Sequence, residues 1–236
     1  MERIAEEARA RWPEARIAIA SSDWLAGTHS LLETIQAVEQ HQIDLVIGTQ
    51  LVAKGHNFPM LTLVAVVDGD MGLAGADPRA RERTFQLLYQ VSGRAGRAER
   101  PGRVIIQTHG PQEPVMQALI AGRRDEFYTA EAGMREMAGL PPFGRLAALI
   151  LSGTDEIAVR RAGDDLAAAA PSATGVTLYG PAPAPIALVR GQTRMRLLLQ
   201  GPRSFNMQAY LTDWFSQIKL PSSVRMSLDI DPQSFM

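Results

Sequence analysis

The fold class of this chain is decided by residues 43–67, IDLVIGTQLVAKGHNFPMLTLVAVV, in which two apolar runs flank a more polar loop. The runs IDLVIG (43–48) and LTLVAVV (61–67) are too short for helices and are rich in Val, Ile and Leu. Continuous runs of this kind are typical of strands buried on both faces, as in a parallel sheet. We therefore expect buried parallel strands here, within an α/β layer.

Helices and short strands alternate from the start of the chain to about residue 138. Periodicity predicts helices over 2–11, 30–41, 79–92 and 113–137, and further strands over 16–20 and 102–108. Ser30 or Thr28 is expected near the start of the second helix, and Phe85, Leu88 and Tyr89 are expected to face the core. Strands that alternate with helices predict a doubly wound sheet, in which function collects at the carboxyl ends of the strands.

The segment GLPPFG (139–144) predicts a break between two domains, because paired prolines cannot continue a helix. The second domain is expected to contain strands at 145–152, 176–180, 193–200 and 224–230, helices at 154–170 and 204–218, and a proline-rich loop, PAPAPI, at 181–186. This βαββαβ order predicts a smaller, ferredoxin-like α+β domain. Met207, Leu211, Trp214 and Ile218 form one stripe of the second helix, which we interpret as core.

Composition excludes several classes of site. With 236 residues and 46% hydrophobic content, the chain is long enough for one large or two ordinary domains. The absence of cysteine excludes disulfides, thiolate zinc sites and cysteine nucleophiles, and the four histidines (29, 41, 56 and 109) have no ligand spacing, so no metal is expected. No apolar run approaches the ~20 residues of a membrane span. The start of the chain lacks a secretion signal, which predicts a cytoplasmic protein.

Arginines are distributed unevenly along a chain whose net charge is only −1. Residues 79–103 contain seven arginines against Glu82 and Glu99, and residues 186–203 contain four arginines and no acidic residue. Both runs are local basic patches; the alternative interpretation is an ordinary solvated surface.

The stretch QVSGRAGR (90–97) places Gln90, Arg94 and Arg97 at fixed offsets at the end of an amphipathic helix. Two planar guanidinium groups on one helical face can hold successive phosphate oxygens, and Gly93 and Gly96 leave room for a second surface. The alternative is a simple helix C-cap with cations opposing the helix dipole.

The loop GTQLVAKGHNFP (48–59) directly follows a predicted strand. Thr49 can cap a helical turn whose free amides face a ligand, Gly55 permits a sharp turn, and Lys54 and His56 can donate to phosphate. An ordinary β-to-α loop is the alternative for this segment taken alone.

Asp68 and Asp70 follow the strand 61–67 and are expected to orient an arginine or polar partner across a cleft. No second acidic cluster accompanies them, which disfavours a paired-carboxylate hydrolase. The sequence contains no GxxxxGK[ST] loop to cradle a triphosphate, so the arginine pair indicates a half-site that acts on a γ-phosphate held by another domain.

These motifs carry a family resemblance. GTQLVAKGHNFP resembles motif V, and QLLYQVSGRAGR resembles motif VI, of superfamily 2 helicases. Nearly the whole chain is similar to the C-terminal portion of the PriA family of replication-restart helicases, also called primosomal protein N′. Besides these two motifs, the resemblance rests on GRAGRAERPGRVIIQT, LPPFGRLAAL, YGPAPAPIALVRGQTRMRLLLQ and LDIDPQSF.

The resemblance implies an incomplete, three-layer RecA-like second helicase lobe over 1–138 and a C-terminal DNA- and partner-binding domain over 139–236. It implies ATP-driven 3′-to-5′ unwinding in replication restart and primosome assembly, with ATP and Mg²⁺ bound only together with a first lobe. Zinc belongs to the full-length family and is not expected in this chain. The implied partners are forked and single-stranded DNA, single-stranded DNA-binding protein and primosome proteins.

Carried onto this chain, the resemblance makes Arg94 and Arg97 the motif VI arginines, with Arg97 the expected arginine finger and Gln90 the opening amide. The residues expected around the nucleotide are Thr49, Lys54, Gly55 and Asp68. The chain alone, without the first lobe, is expected to be inactive.

In the second domain, DNA is expected to contact Arg190, Arg194, Arg196 and Arg203, chiefly through electrostatics. Arg203 and Gln208 are candidates for receiving the acidic tail of single-stranded DNA-binding protein. One rival interpretation is a freestanding, non-enzymatic module that binds DNA or a replication protein. A phosphate-binding metabolic enzyme is a third possibility, but it lacks a general base near the arginines.

Overall fold

The computed structural model describes residues 1–20, 28–49, 61–73, 77–93, 95 and 102–233. The chain is mixed α/β and divides into two compact units, one formed by 1–73 and 83–122 and the other by 74–82 and 123–236. Among the helices of these described residues, none combines the length and the apolar character that a membrane crossing requires.

The first half of the chain alternates helices with four-residue strands. In order, the elements are α1 (Glu2–Arg11), β1 (Ile17–Ala20), α2 (Thr28–Glu39), β2 (Leu45–Gly48), β3 (Leu63–Val66), α3 (Ala80–Ser92), β4 (Arg103–Ile106) and α4 (Pro114–Ala121). Strand β1 pairs in parallel with β2, and β3 pairs in parallel with β4. The predicted parallel strands are therefore confirmed, in two sheets of two strands each among the described residues.

The prediction that these strands are buried on both faces is wrong for β3 and β4. Leu63 is 50% exposed and Ile105 is 52% exposed, whereas their neighbours along each strand are half-buried. Successive side chains of a strand point to opposite faces. Met116 of α4 lies beside Ile106 and Gly69 on one face, and the described part of this unit leaves the other face of the pair open.

Two further expectations for this half of the chain are corrected. The predicted helix 113–137 is broken, because Gly122 ends α4 with a left-handed φ of +66° and a new helix begins at Arg124. Phe85 and Leu88 are buried as predicted, but Tyr89 is 44% exposed. Its ring stacks on Phe85 at a centroid distance of 5.7 Å, and this leaves its polar hydroxyl free to reach solvent.

The second half of the chain forms one four-stranded sheet with helices. Its elements are α5 (Arg124–Met137), β5 (Gly144–Gly153), α6 (Glu156–Ala168), β6 (Thr177–Val189), β7 (Gln192–Pro202), α7 (Met207–Ser216) and β8 (Arg225–Ile230). The strands lie in the order β6-β7-β5-β8, and every neighbouring pair is antiparallel. The predicted βαββαβ order of elements is confirmed from β5 to β8.

The core of this unit lies between one face of the sheet and the helices α6 and α7. The sheet contributes alternate residues of β5 and β7, and the helices contribute the predicted stripe of α7 and an apolar face of α6. The buried residues are Ala147, Leu149 and Leu151 of β5, Met195, Leu197 and Leu199 of β7, Val159, Ala162 and Leu166 of α6, and Met207, Leu211 and Trp214 of α7. Ile218, the last residue of the predicted stripe, is partly buried against them. The Nε1–H of the fully buried Trp214 donates to the carbonyl of Leu166 at 3.1 Å, which joins the two helices.

The predicted loop PAPAPI is wrong, because these residues belong to β6. Strand β6 lies at the edge of the sheet, and its register against β7 shifts between Tyr179 and Ala182 and between Pro183 and Leu188. Edge positions and bulges tolerate proline, which cannot donate a backbone hydrogen bond to the ladder. Arg190 and Gly191, with φ of +50° and +76°, form the two-residue turn into β7.

We predict that Gly144→Ala destabilises the chain by about 1–3 kcal/mol. A Cβ at this position meets the backbone of Gly139 and lies 3.1 Å from the carbonyl oxygen of Gly201, and neither backbone can move without disturbing β5. Thermal and urea unfolding of the two forms measures the effect. The matched control is Gly133→Ala in α5, where nothing outside the helix's own backbone and the adjacent residues lies within 4 Å of the added carbon and a gain of roughly 0.5–1 kcal/mol is expected. An unchanged midpoint for Gly144→Ala contradicts the close approach.

Candidate functional site

A group of arginines lies on the face of the four-stranded sheet opposite to α6 and α7. In the strand register, Arg194 of β7 lies opposite Ser152 of β5, and Ser152 in turn lies opposite Arg225 of β8. Arg196 lies one step along, on the same face of β7 as Arg194. Because neighbouring strands are ~4.8 Å apart, the backbone positions of Arg194 and Arg225 are only about 10 Å apart. We call Arg194, Arg196 and Arg225 the arginine face.

The surroundings of the arginine face are polar at one end and apolar at the other. Ser227 of β8 lies on the same face, whereas Leu146 and Ala148 of β5 are buried farther along it. Asp229 also lies on this face, opposite Ala148 and four residues beyond Arg225. The arginines therefore lie at the Ser152 end of the face, and the nearest acidic residue on β8, Asp229, is exposed two residues beyond Ser227.

Burial of Arg196 lowers the pKa of its guanidinium. Arginine side chains nevertheless stay charged at physiological pH. Arg194 is also half-buried, and its Nη1 donates to the carbonyl of Ile186 at 3.5 Å. Partly desolvated cations attract an anion more strongly than fully hydrated ones do, because the local dielectric is lower.

The structure separates the four arginines that the sequence grouped together. Arg190 lies in the exposed turn that leads into β7, at the same end of the strand as Arg194. Arg203 follows the other end of β7, nine residues from Arg194, and a strand of that length spans about 30 Å. Arg203 is therefore not part of the arginine face.

Arg225 is the residue of this face that sequence reasoning missed. It lies far along the chain from Arg194 and joins it only through the pairing of β8 with β5. The alternation of polar and apolar residues in RMSLDI (225–230) was the available signal, because it marks Arg225 and Ser227 as facing away from the core. Alternation alone does not say which strand lies next to β8.

Several predicted nucleotide-site residues lie outside the described residues, namely Lys54, Gly55, His56, Arg94 and Arg97. Three others are described. Thr49 is exposed directly after β2, and Gln90 is exposed in the last turn of α3. Asp68 is exposed after β3, and its Oδ1 accepts a hydrogen bond from the backbone N–H of Asp70 at 3.0 Å. The roles of all these residues stay predictions.

Asp70 connects the ends of β3 and β4, where the sequence predicted a contact across a cleft. One carboxylate oxygen accepts from the hydroxyl of Thr108 at 2.6 Å, and the other accepts from the backbone N–H of His109 at 2.6 Å. The hydroxyl oxygen of Thr108 accepts in turn from the N–H of Gly110 at 3.0 Å. The bond from Thr108, followed by that from His109, lowers the pKa of Asp70.

Comparison with known proteins covers the whole chain. The model of the primosomal protein N C-terminal domain matches residues 136–233, which include the entire arginine face. Over 235 residues, the chain is 42% identical to replication restart protein PriA of Rickettsia conorii and 35% identical to that of Haemophilus influenzae; over 242 residues, it is 32% identical to that of Bacillus subtilis. These matches cover 98–100% of this chain but only 30–36% of the relatives, so the chain spans about a third of their length.

The paired parallel strands, the antiparallel sheet and the arginine face define a mixed α/β protein with a cationic surface suited to anionic partners. Within this class, the chain belongs to the PriA family and corresponds to the C-terminal portion of its members.

We predict that Asp70→Asn makes the melting temperature of the chain less sensitive to a fall in pH from 6 to 3. The folded pKa of Asp70 is depressed, so its contribution is fully present above the ordinary carboxyl pKa near 4 and is lost as the pH falls through the folded value. The difference between the melting temperatures at pH 6 and pH 3 is therefore expected to be smaller in Asp70→Asn than in the parent chain. Asp164→Asn, an exposed position on α6, is the control. An equal difference in all three proteins contradicts the prediction.

Proposed function

We propose that this chain is the C-terminal part of an ATP-dependent 3′-to-5′ DNA helicase that acts in replication restart and primosome assembly. The observation that carries the proposal is the similarity to proteins named replication restart protein PriA, which runs through the whole chain at up to 42% identity. In this interpretation the protein works in the cytoplasm, where its partners are forked and single-stranded DNA, single-stranded DNA-binding protein and primosome proteins.

The proposed architecture is a RecA-like second helicase lobe over 1–138 and a ferredoxin-like DNA- and partner-binding domain over 139–236. The parallel pairs β1–β2 and β3–β4, each joined through helical segments, support the first assignment. The second assignment is supported by the βαββαβ order, by the antiparallel order β6-β7-β5-β8 and by the packing of α6 and α7 on one face of that sheet.

The proposed role of the first part is to complete an ATP site whose phosphates are held by another lobe. ATP and Mg²⁺ supply the phosphoryl chemistry when a P-loop lobe binds them, and the sequence here contains no such loop. We assign Arg97 as the arginine finger, Arg94 as its neighbour and Gln90 as the opening amide. The residues assigned near the nucleotide are Thr49, Lys54, Gly55 and Asp68. Alone, the chain is expected not to hydrolyse ATP.

The proposed role of the second part is to bind DNA through the arginine face and Arg190. A phosphate backbone suits this surface, because each arginine that neutralises a phosphate releases condensed counterions. No acidic residue occurs between Asp165 and Asp213, a segment that includes the whole β6–β7 hairpin. The hydroxyls of Ser152 and Ser227 lie among the arginines and are suitable phosphate donors. Arg203 and Gln208 stay the proposed contacts for the acidic tail of single-stranded DNA-binding protein.

We predict that replacing Arg194 and Arg225 together by Gln weakens binding of the chain to a fluorescent single-stranded oligonucleotide and makes it less salt-dependent. Loss of two phosphate contacts lowers the slope of log K against log salt by about 1–2. Fluorescence anisotropy between 50 and 200 mM salt measures the slope. The matched control replaces Arg160 and Arg161 by Gln, which removes the same charge from exposed positions on α6, on the opposite side of the sheet. Equal changes in both double variants contradict a localised DNA site.

We also predict how replacing Arg97 changes ATP turnover. When the first lobe of a PriA relative is fused to this chain, we expect DNA-stimulated ATP turnover. Arg97→Ala is expected to lower this turnover on the order of 10³-fold, because an arginine finger stabilises the charge of the phosphoryl-transfer transition state. A coupled phosphate-release assay measures the turnover, with Arg123→Ala, an exposed arginine before α5, as the control. Equal turnover in the parent and Arg97→Ala fusions rules out the finger assignment.

A further inference from the structure

A second cationic site lies in the second unit, at the end of the sheet away from the arginine face. It is a pocket of about 500 Å³, within the 300–1,000 Å³ range typical of small-molecule sites. Arg79, Arg145 and Arg203 line it, together with Asp231, Gln233 and the turn at 141–144. These segments are distant in the sequence, so the pocket forms only when the whole unit is folded.

The arginines of this pocket outnumber its carboxylates. The lining holds three guanidinium groups and one carboxylate, that of Asp231, which leaves a formal charge of +2. Asp231 pairs with Arg145, whose Nε lies 2.8 Å from Oδ2. Within the part of the chain that the structure describes, neither Arg79 nor Arg203 has a salt bridge to an acidic residue.

Two of the three guanidinium groups, those of Arg145 and Arg79, are held in place by hydrogen bonds, whereas Arg203 is exposed. Asp231 is fixed by two backbone bonds to Leu146: its Oδ1 accepts from the N–H at 2.9 Å, and its own N–H donates to the carbonyl at 2.7 Å. The contact with Arg145 uses Nε, so Asp231 leaves the two terminal amino groups of that guanidinium available. The Nη1 of Arg79 donates to the side-chain oxygen of Gln233, which orients this second guanidinium at the same wall.

We propose that this pocket binds a phosphate group. A phosphate monoester carries a charge between about −1.5 and −2 at neutral pH and three acceptor oxygens, which matches the surplus charge and the planar donor forks of the pocket. A carboxylate and a backbone phosphodiester each carry one charge and two free acceptor oxygens, so either one leaves part of the surplus uncompensated. A phosphate monoester is therefore the favoured ligand, and the acidic tail assigned above to Arg203 and Gln208 is the competing ligand in the test.

The favoured source is therefore a free phosphate or the terminal phosphate of a nucleotide, and the backbone of a nucleic acid is the alternative that the test distinguishes. Backbone binding rests on the proposed function and places a second contact about 23 Å from Arg196, the nearest β7 residue of the arginine face, which a duplex spans in about seven base-pair steps of 3.4 Å. Binding of a free phosphate depends on the pocket alone. The two sources are therefore separable by experiment.

The test uses the ¹⁵N-labelled 236-residue chain titrated with inorganic phosphate, and then with a hexaglutamate peptide, at constant ionic strength. The arginine Nε–H resonances of the pocket are assigned by single Arg→Lys substitutions. We expect saturable shifts of the Arg145 and Arg203 resonances with phosphate, roughly tenfold weaker affinity in Arg203→Gln, and no change of affinity in Arg160→Gln, which removes an exposed arginine of α6. Absence of a saturable shift, an unchanged affinity in Arg203→Gln, or stronger binding of the peptide than of phosphate overturns the proposal.

Two further arms identify the source of the phosphate. Stronger binding of a 5′-phosphorylated dT12 oligonucleotide than of its 5′-hydroxyl form, with the difference lost in Arg203→Gln, supports a terminal phosphate. Equal binding of the two forms, with both weakened by Arg203→Gln, assigns the pocket to the backbone and overturns binding of a terminal phosphate. If the Arg194 and Arg225 double variant binds DNA normally while the phosphate shifts persist, the DNA role of the arginine face fails and the pocket stands. Arg203 is exposed, so the variant is expected to fold, and its melting temperature checks this.

Discussion

The antiparallel register of β5 against β7 and β8 is the constraint on which the second unit depends. Side chains alternate between the two faces of a strand, so a slip of one residue exchanges the faces. Such a slip on β7 would expose Leu197 and Leu199 and bury Arg194 and Arg196 beside Trp214. Burying arginine side chains in an apolar core costs far more than the core can supply, so the packing of the core also fixes where the arginines lie.

Polar contacts at the far end of β5 reinforce this register. The side-chain amide of Gln200 on β7 donates to the carbonyl of Ala138 at 2.7 Å and to that of Gly139 at 3.1 Å. These are carbonyls at the end of α5, where a helix lacks internal partners. The hydroxyl of Tyr179 donates to Oε1 of Gln200 at 3.2 Å, and this bond fixes the orientation of the Gln200 amide. Gln200 therefore ties the helix before the predicted domain boundary to the sheet after it, within one unit.

Much of the second unit could be predicted from the sequence, because its strands and helices have clear periods and clear caps. Asp155 and Asn206, for example, accept backbone hydrogen bonds at the starts of α6 and α7. The errors occur where local pattern and tertiary context disagree. The prolines of PAPAPI read as a loop but are accommodated in a bulged edge strand. The run at 113–137 read as one helix because nothing local shows that Gly122 adopts a left-handed conformation.

The sequence also fails to locate the cationic sites, because arginines that are close along the chain need not lie on the same surface of the fold. The seven arginines of 79–103 read as one patch, yet Arg79 contributes to the pocket in the second unit and pairs with Gln233 near the other end of the chain. Arg203 read as a neighbour of Arg194, yet the length of β7 places it at the opposite end of the sheet. Arg225, which no run contained, completes the arginine face. Charge composition therefore predicts that anions bind, whereas strand length and register decide where the binding site lies. A substitution that preserves the charge but shifts the register should therefore abolish a site.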